Sequence, residues 1–354
     1  MTSRCFLFTG GGTGGHVSPA LAIAEGIRSR HPDAHFVYVG VYGKAEARMV
    51  PKHWSTELDE GLASIRFVRS KGYTGMNLGL LSFMFNVSLG IFSSIFILLS
   101  ARPAAIIATG GYVSAPILFA AFLLKKMKII RSKIFIHEQN AVLGRMNKLG
   151  VSFADKVGTS FPGVDVPKSK KAFVGYPVRR SVVVPTADDR LKLRNEARRA
   201  LGIAADAKVI FAFGGSQGAR TINRAIVRSL PLLLSDPSVV VIHGTGKQLV
   251  GNQYNGMADS QQELERVREH LPADLDHRYR PTDFFDNMGQ LYAASDVVLC
   301  RSGAGSLIEV CANAACAVTI PKANVPGDHQ AENARTLREV SAIEVVFESV
   351  DLAS

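Results

Sequence analysis

The chain has 354 residues, 47% of them hydrophobic, which is enough for two cored domains of ordinary size and excludes a disordered or fibrous chain. Lys+Arg 41 against Asp+Glu 30 leave a formal charge of +11, a balance that favours nucleic acid, an anionic membrane surface or phosphorylated substrates. Nucleic acid drops out, because the basic groups, such as Lys125, Lys126, Lys128, Arg131 and Lys133, lack interleaved aromatics and belong to no binding module.

The chain opens on the apolar run Cys5-Phe6-Leu7-Phe8, preceded by a single Arg4 and too short for the apolar core of a signal peptide. Cys5, Cys300, Cys311 and Cys316 have neither framework spacing nor a C-x-x-C clip, so they read as free thiols in a reducing compartment, with no zinc site. A cytoplasmic protein is expected.

After that run come Gly10-Gly11-Gly12-Thr13-Gly14-Gly15-His16 and the helical pattern Ala20-Leu21-Ala22-Ile23-Ala24. A strand, a glycine turn and a helix leave free amides at the positive end of a helix dipole, where a phosphate or a developing oxyanion can sit. Gly10, Gly12 and Gly15 also satisfy the G-x-G-x-x-G of a dinucleotide site. Such a site wants an acid at the end of the second strand, and Phe36-Val37-Tyr38-Val39-Gly40-Val41 carries none. His16 has no role in dinucleotide binding either, although a histidine at a helix start is often a cap or a packed side chain.

Up to about residue 160, strands are expected at 4–9, 35–40, 64–68, 104–108, 133–137 and 155–158, with helices between, which predicts a parallel sheet covered on both faces. One connecting segment departs from an ordinary crossover helix: no charge occurs from Met76 to Ala101. That length meets the roughly 20 residues of a membrane span. Its place between two strands of one sheet, and the interruptions at Asn77, Asn86 and several serines, favour a helix that lays an apolar face into a bilayer surface. Arg66, Arg69, Lys71 and Arg102 would serve anionic headgroups. The alternative is a fully buried core helix.

Phe161-Pro162-Gly163, Pro167, Pro177 and Pro185 mark 161–188 as a linker. A charged helix near 190–200 follows, and then Val209-Ile210-Phe211-Ala212-Phe213 and Gly214-Gly215-Ser216-Gln217-Gly218 repeat the strand and glycine turn. Further strands are expected at 239–242, 296–300, 317–320 and 343–347. The expected fold is α/β, two doubly wound Rossmann-like lobes facing across a cleft, 1–177 and 178–354, with ligands at the carboxyl ends of the strands.

Polar strings close several of these strands: Thr109-Gly110-Gly111-Tyr112-Val113-Ser114-Ala115-Pro116, His137-Glu138-Gln139-Asn140, His243-Gly244-Thr245-Gly246 and Phe284-Phe285-Asp286-Asn287-Met288. Arg301-Ser302-Gly303-Ala304-Gly305-Ser306-Leu307-Ile308-Glu309 and Asp328-His329-Gln330 complete the set. With GGTGGH, GGYVSAP, HEQN, GGSQGAR, RSGAGSLIE and DHQ in this order, residues 4 to 345 resemble the MurG family of GT-B glycosyltransferases.

The resemblance implies an inverting transfer of N-acetylglucosamine from UDP-N-acetylglucosamine (UDP-GlcNAc) to the C4 hydroxyl of the MurNAc of undecaprenyl-pyrophosphoryl-MurNAc-pentapeptide (lipid I). The product is lipid II, for peptidoglycan and cell-wall synthesis. No metal or other cofactor is implied, and the protein would sit peripherally on the cytoplasmic face of the bacterial plasma membrane. The N-terminal lobe would bind acceptor and membrane, and the C-terminal lobe the UDP-sugar.

Residue by residue, the family motif places Ser216 and Arg179 on the donor diphosphate and Glu309 on the ribose hydroxyls. Ala304, Gly305, Ser306, Leu307 and Ile308 form a backbone bed for the nucleotide, Phe285 lies beside the uracil, and His329 and Gln330 contact the sugar hydroxyls. Thr13, Gly14, Gly15, Tyr112, Glu138 and Asn140 match positions on the acceptor lobe. Of these, Thr13, Gly14, Gly15 and Asn140 are also carried over as donor contacts, while Gly12 and Tyr112 stay on the acceptor side. His16 is the candidate general base, since a C4 hydroxyl is a poor nucleophile and imidazole accepts a proton near neutral pH. Glu138 is the second catalytic candidate.

Asp274-Leu275-Asp276 matches the D-x-D of metal-dependent transferases but, after Pro272, reads as a surface turn. Two departures stand out. Tyr176 occupies the family's asparagine position before proline, and the chain stops at Leu352-Ala353-Ser354, before the helix that returns to the N-terminal lobe in the family. The rival readings are a GT-B transferase that glycosylates diacylglycerol, against which the intact HEQN and GGYVSAP speak, and an inactive nucleotide-sugar-binding remnant.

Overall fold

The computed structural model describes residues 4–70, 78–183, 187–248, 254–323, 326–340 and 343–348. Lys71, Met76, Asn77, Pro185 and Leu352-Ala353-Ser354 therefore lie outside the described residues. The chain divides into two compact units, Met1–Arg179 and Arg180–Ser354.

In the first unit the elements run β1 (Cys5–Thr9), α1 (Gly14–Arg28), β2 (His35–Gly40), α2 (Ala45–His53), α3 (Ser55–Asp59), β3 (Ala63–Phe67) and α4 (Leu78–Ala101). Then follow β4 (Ala105–Ala108), α5 (Ala115–Lys126), β5 (Lys133–Glu138), α6 (Arg145–Gly150), β6 (Lys156–Thr159) and β7 (Lys171–Phe173). The strands form one parallel sheet in the order β3-β2-β1-β4-β5-β6-β7. β4 is buried along its whole length, as a strand covered on both faces must be. Phe8, Phe36, Tyr38 and Trp54 pack ring against ring at 5.4 to 5.7 Å beneath α1 and α2. β7 was expected to be linker. It instead extends the sheet beside β6, so the first part of 161–188 belongs to this unit.

The second unit runs α7 (Ala187–Ala200), β8 (Lys208–Phe213), α8 (Arg220–Leu233), β9 (Val239–Gly244), α9 (Gly256–Val267), α10 (Leu275–Arg278) and β10 (Tyr279–Thr282). It continues with α11 (Met288–Ala294), β11 (Val297–Cys300), α12 (Ala304–Ala312), β12 (Cys316–Thr319), α13 (His329–Arg338) and β13 (Glu344–Val345). Its sheet is parallel, in the order β10-β9-β8-β11-β12-β13. Ile222, Ile226 and Leu230, four residues apart along α8, turn one face into the core against Ala212 and Val241. All four cysteines are free, and burial pushes the Cys300 thiol up to about 12.

Over 87–101, where its side chains are described, α4 is not a buried core helix. Gly90, Ser94 and Leu98 form a narrow buried stripe, whereas Phe92 and Phe96 are 61% and 59% exposed and touch edge to face at 4.9 Å. Leu99 is exposed as well, and the neighbouring α5 exposes Phe122 and Leu123. Among the described residues no helix is long and apolar enough to cross a membrane.

Candidate active site

Strand order reverses between β1 and β4 in the first unit and between β8 and β11 in the second. In open α/β sheets the connecting loops part at such reversals, and ligands bind at the carboxyl ends there. Each unit places its glycine turn at this point.

In the first unit the turn Gly10 to Gly15 meets Gly110-Gly111 beyond β4. Gly111 has φ +77°, and a Cβ on it would lie 2.5 Å from the Gly11 carbonyl oxygen and 3.2 Å from Cδ2 of His16. Only glycine lets the two turns close on each other and on the imidazole. His16 Nδ1 lies 3.0 Å from the carbonyl oxygen of Thr109, and the buried Thr109 hydroxyl donates to the carbonyl of His16 at 2.6 Å. A carbonyl can only accept, so Nδ1 carries the proton, and in a neutral ring Nε2 is then the basic nitrogen. That is the tautomer a general base needs.

Around His16, Gly12 lies against the ring of Tyr112, whose Cε1 would be 3.5 Å from a Cβ at Gly12. Thr13 and Gly15 are exposed and Gly14 half-buried at the start of α1. Sequence reasoning missed Glu46. This residue is 1% exposed, and its carboxylate accepts from the amides of Gly12 at 2.9 Å and Val41 at 3.0 Å. The acid sought at the end of β2 thus stands in the first turn of α2, facing the loop backbone. An acidic residue at a helix start shortly after the second strand was the available signal.

The string His137-Glu138-Gln139-Asn140 was expected to line a cleft. Its first three residues are buried instead, and Asn140 alone is half-buried. Glu138 Oε1 accepts from the Asn140 amide at 3.0 Å and its Nδ2 at 3.2 Å, while Oε2 accepts from the Gly144 amide and from Asn147 Nδ2, both at 2.8 Å. A buried carboxylate with four donors is a hub that fixes Asn140 and the start of α6. Both carboxylate oxygens of Glu138 are thus engaged by donors of its own unit. His137 donates from Nε2 to the Gly175 carbonyl at 3.0 Å and accepts at Nδ1 from Gln139 at 3.2 Å. Burial above all lowers its pKa and keeps it neutral. Tyr176 meets the His137 ring edge-on at 6.3 Å, so the tyrosine that departs from the family pattern is packed on the end of β5.

In the second unit, Ser216 is exposed on the turn after β8, and its carbonyl accepts from the Lys247 amide at 3.0 Å. Gly218 has φ +75°, and a Cβ there would lie 2.0 Å from the Thr245 carbonyl oxygen, so the two loops close back to back. Beneath them runs a buried polar chain. Asn223 Nδ2 donates to Thr245 O at 2.8 Å, His243 Nε2 lies 3.2 Å from Asn223 Oδ1, and the Tyr279 hydroxyl lies 2.8 Å from His243 Nδ1. Burial holds His243 at a pKa of about 4, hence neutral.

Beyond β11, α12 begins at Ala304, and Ala304, Gly305, Ser306, Leu307 and Ile308 occupy its first turns. Glu309 follows, half-buried, its Oε2 accepting from the Tyr292 hydroxyl at 3.0 Å. Phe285 packs edge-on to Phe211 at 5.7 Å. His329 and Gln330 open α13, where the Lys322 amide donates to Gln330 Oε1 at 3.0 Å. Arg179 is half-buried at the last position of the first unit. Asp274 and Asp276 flank the start of α10, exposed, with Asp274 paired to Arg278 at 3.0 Å. Among the described residues no three His, Cys, Asp or Glu side chains gather to hold a metal ion.

Residues 6–159 match the family model of the glycosyltransferase family 28 N-terminal domain, and residues 209–352 that of its C-terminal domain. A protein of Salinibacter ruber is 33% identical over 341 residues, covering 95% of this chain and 82% of its own length. One of Desulforudis audaxviator is 32% identical, covering 97% and 85%. Both are named UDP-N-acetylglucosamine--N-acetylmuramyl-(pentapeptide) pyrophosphoryl-undecaprenol N-acetylglucosamine transferase. Among solved structures, MurG of Acinetobacter baumannii superposes with a TM-score of 0.65 at 23% identity, covering 98% of this chain and 86% of that one. A UDP-GlcNAc 2-epimerase of Neisseria meningitidis shares the fold at a TM-score of 0.55 and 12% identity, covering all of this chain and 89% of that one.

Proposed function

The chain belongs to glycosyltransferase family 28, and on that premise we propose that it carries out the transfer its relatives are named for. N-acetylglucosamine moves from UDP-GlcNAc to the C4 hydroxyl of the MurNAc unit of lipid I, with inversion, giving lipid II for peptidoglycan. The observation that supports this reading is His16 Nδ1 at 3.0 Å from the Thr109 carbonyl, beside the glycine turn at the strand-order reversal, which leaves Nε2 as the basic nitrogen of a neutral ring.

In the reaction, Nε2 of His16 takes the proton of the C4 hydroxyl as its oxygen bonds to the anomeric carbon. The bond from that carbon to the β-phosphate oxygen breaks on the opposite face, and UDP leaves. Charge building on the diphosphate meets Ser216, the Arg179 guanidinium and the amides at the starts of α8 and α12. Glu309 holds the ribose diol over the bed Ala304 to Ile308, Phe285 flanks the uracil, and His329 and Gln330 take the sugar hydroxyls. The family resemblance adds Thr13, Gly14, Gly15 and Asn140 as donor contacts and Gly12 and Tyr112 as acceptor contacts.

A polyprenyl acceptor brings the enzyme to a lipid surface. The exposed Phe92, Phe96 and Leu99 of α4, with exposed Arg66 and Arg69 before it in the chain and exposed Arg102 directly after it, suit an anionic cytoplasmic leaflet. The decisive experiment is transfer from radiolabelled UDP-GlcNAc to a short-chain lipid I analogue. Inverted disaccharide product is expected. Label on diacylglycerol would favour the other glycolipid transferase, and UDP binding without turnover the inactive remnant.

A further inference from the structure

One side chain that meets Glu309 has no part in the expected site. Tyr292, on α11, is 3% exposed, and its hydroxyl donates to Glu309 Oε2 at 3.0 Å. Its ring stands edge-on to Phe211 at 6.0 Å and to Phe213 at 6.3 Å, and Phe211 in turn meets Phe285 at 5.7 Å. One packed aromatic cluster on β8 and α11 therefore reaches both the expected uracil side, at Phe285, and the expected ribose side, at Glu309. Burial first, and then the Glu309 charge, push the phenol well above its ordinary pKa of 10.0, so it remains a donor at every working pH.

A carboxylate that must accept from two vicinal hydroxyls gains from being held still, because an anchored group loses less rotamer freedom on binding. We propose that Tyr292 is a positioning residue of the donor site, whose hydroxyl fixes the Glu309 carboxylate for the ribose diol and so sets the preference for ribonucleotide over 2′-deoxyribonucleotide donors. The proposal rests on the reading of Glu309 as the ribose ligand.

The test compares UDP with 2′-deoxy-UDP by calorimetry on the full chain. Both ligands meet the same folded fraction, so their affinity ratio is insensitive to partial unfolding of a variant. Tyr292→Phe, which keeps the ring against Phe211 and Phe213, should weaken UDP by roughly 3–10-fold, the range of one net hydrogen bond. It should leave 2′-deoxy-UDP nearly unchanged, and raise the KM for UDP-GlcNAc while kcat holds. Glu309→Ala should narrow the ratio further, and Tyr292→Phe in that background should add nothing. An unchanged ratio in Tyr292→Phe, with the ratio narrowed in Glu309→Ala, overturns the proposal and leaves the ribose reading intact. An unchanged ratio in Glu309→Ala removes the ribose reading, and the proposal with it.

Discussion

Glu46 and Gly12, thirty-four residues apart in the chain, are joined by a hydrogen bond of 2.9 Å from the glycine amide to the buried carboxylate. One amide of the first glycine turn is thereby committed to the protein itself. The dinucleotide reading of Gly10 to Gly15 required an acid aimed at a ribose, whereas this acid is aimed at the backbone of the turn. Glu46→Ala leaves the Gly12 and Val41 amides without their acceptor, and should cost about 2–4 kcal/mol in denaturant unfolding, the order for two unmade buried bonds. A change under 0.5 kcal/mol would show that water replaces the carboxylate.

His16→Ala should lower kcat by about 10²–10⁴-fold, the usual effect of losing a general base, with UDP affinity almost unchanged. The acidic limb of the kcat/KM profile should vanish as well, since a histidine base is inactive once protonated. Near-normal kcat would take His16 out of the mechanism.

Glu138→Gln tests hub against base. An amide sets an NH2 group against backbone and side-chain N–H donors, so the melting temperature should drop, while the acidic limb that belongs to His16 stays in place in whatever activity survives. Loss of that limb with unchanged melting would instead restore Glu138 as the proton acceptor.

His243 makes the stability of the second unit pH-dependent. Its pKa is about 4 in the fold against 6.5 when free. Above pH 6.5 the ring is neutral in both states and its contribution is complete. As pH falls from 6.5 toward 4 the unfolded chain takes up a proton that the native chain refuses, and stability declines by about 3 kcal/mol in total. Unfolding measured at pH 7 and 4.5 should show a smaller difference in His243→Gln than in the parent chain. Equal differences would mean that the buried ring titrates normally.

The paired change Phe92→Ser and Phe96→Ser should abolish binding to anionic vesicles without lowering the melting temperature, because both rings already face solvent. Retained binding would move the membrane contact away from α4.

Long buried strands and the glycine turns after them were legible from the sequence, because an apolar run ending in glycines carries its own signal. β7 and β10 were not. Both are edge strands, three and four residues long, one beginning at Lys171 and the other containing Pro281, and edges admit the charges and prolines that central strands exclude. Glu46, Asn147 and Tyr292 escaped for another reason. Each acts on a residue in a different element, so its role exists only once the chain has folded. In HEQN the polar letters suggested exposure, whereas burial with mutual hydrogen bonds satisfies them equally well.

The bond that sets the proton on His16 ends on a main-chain oxygen. Any residue at position 109 would supply that oxygen, so the tautomer is insured against side-chain drift at the partner, and even Thr109→Val should leave it in place. The vulnerability has been moved to the residues that keep the backbone where it is. A single methyl group on Gly111 would press within 2.5 Å of the Gly11 carbonyl oxygen and part the two turns. The reactivity of an imidazole in α1 is thus held hostage by a residue with no side chain, ninety-five positions away.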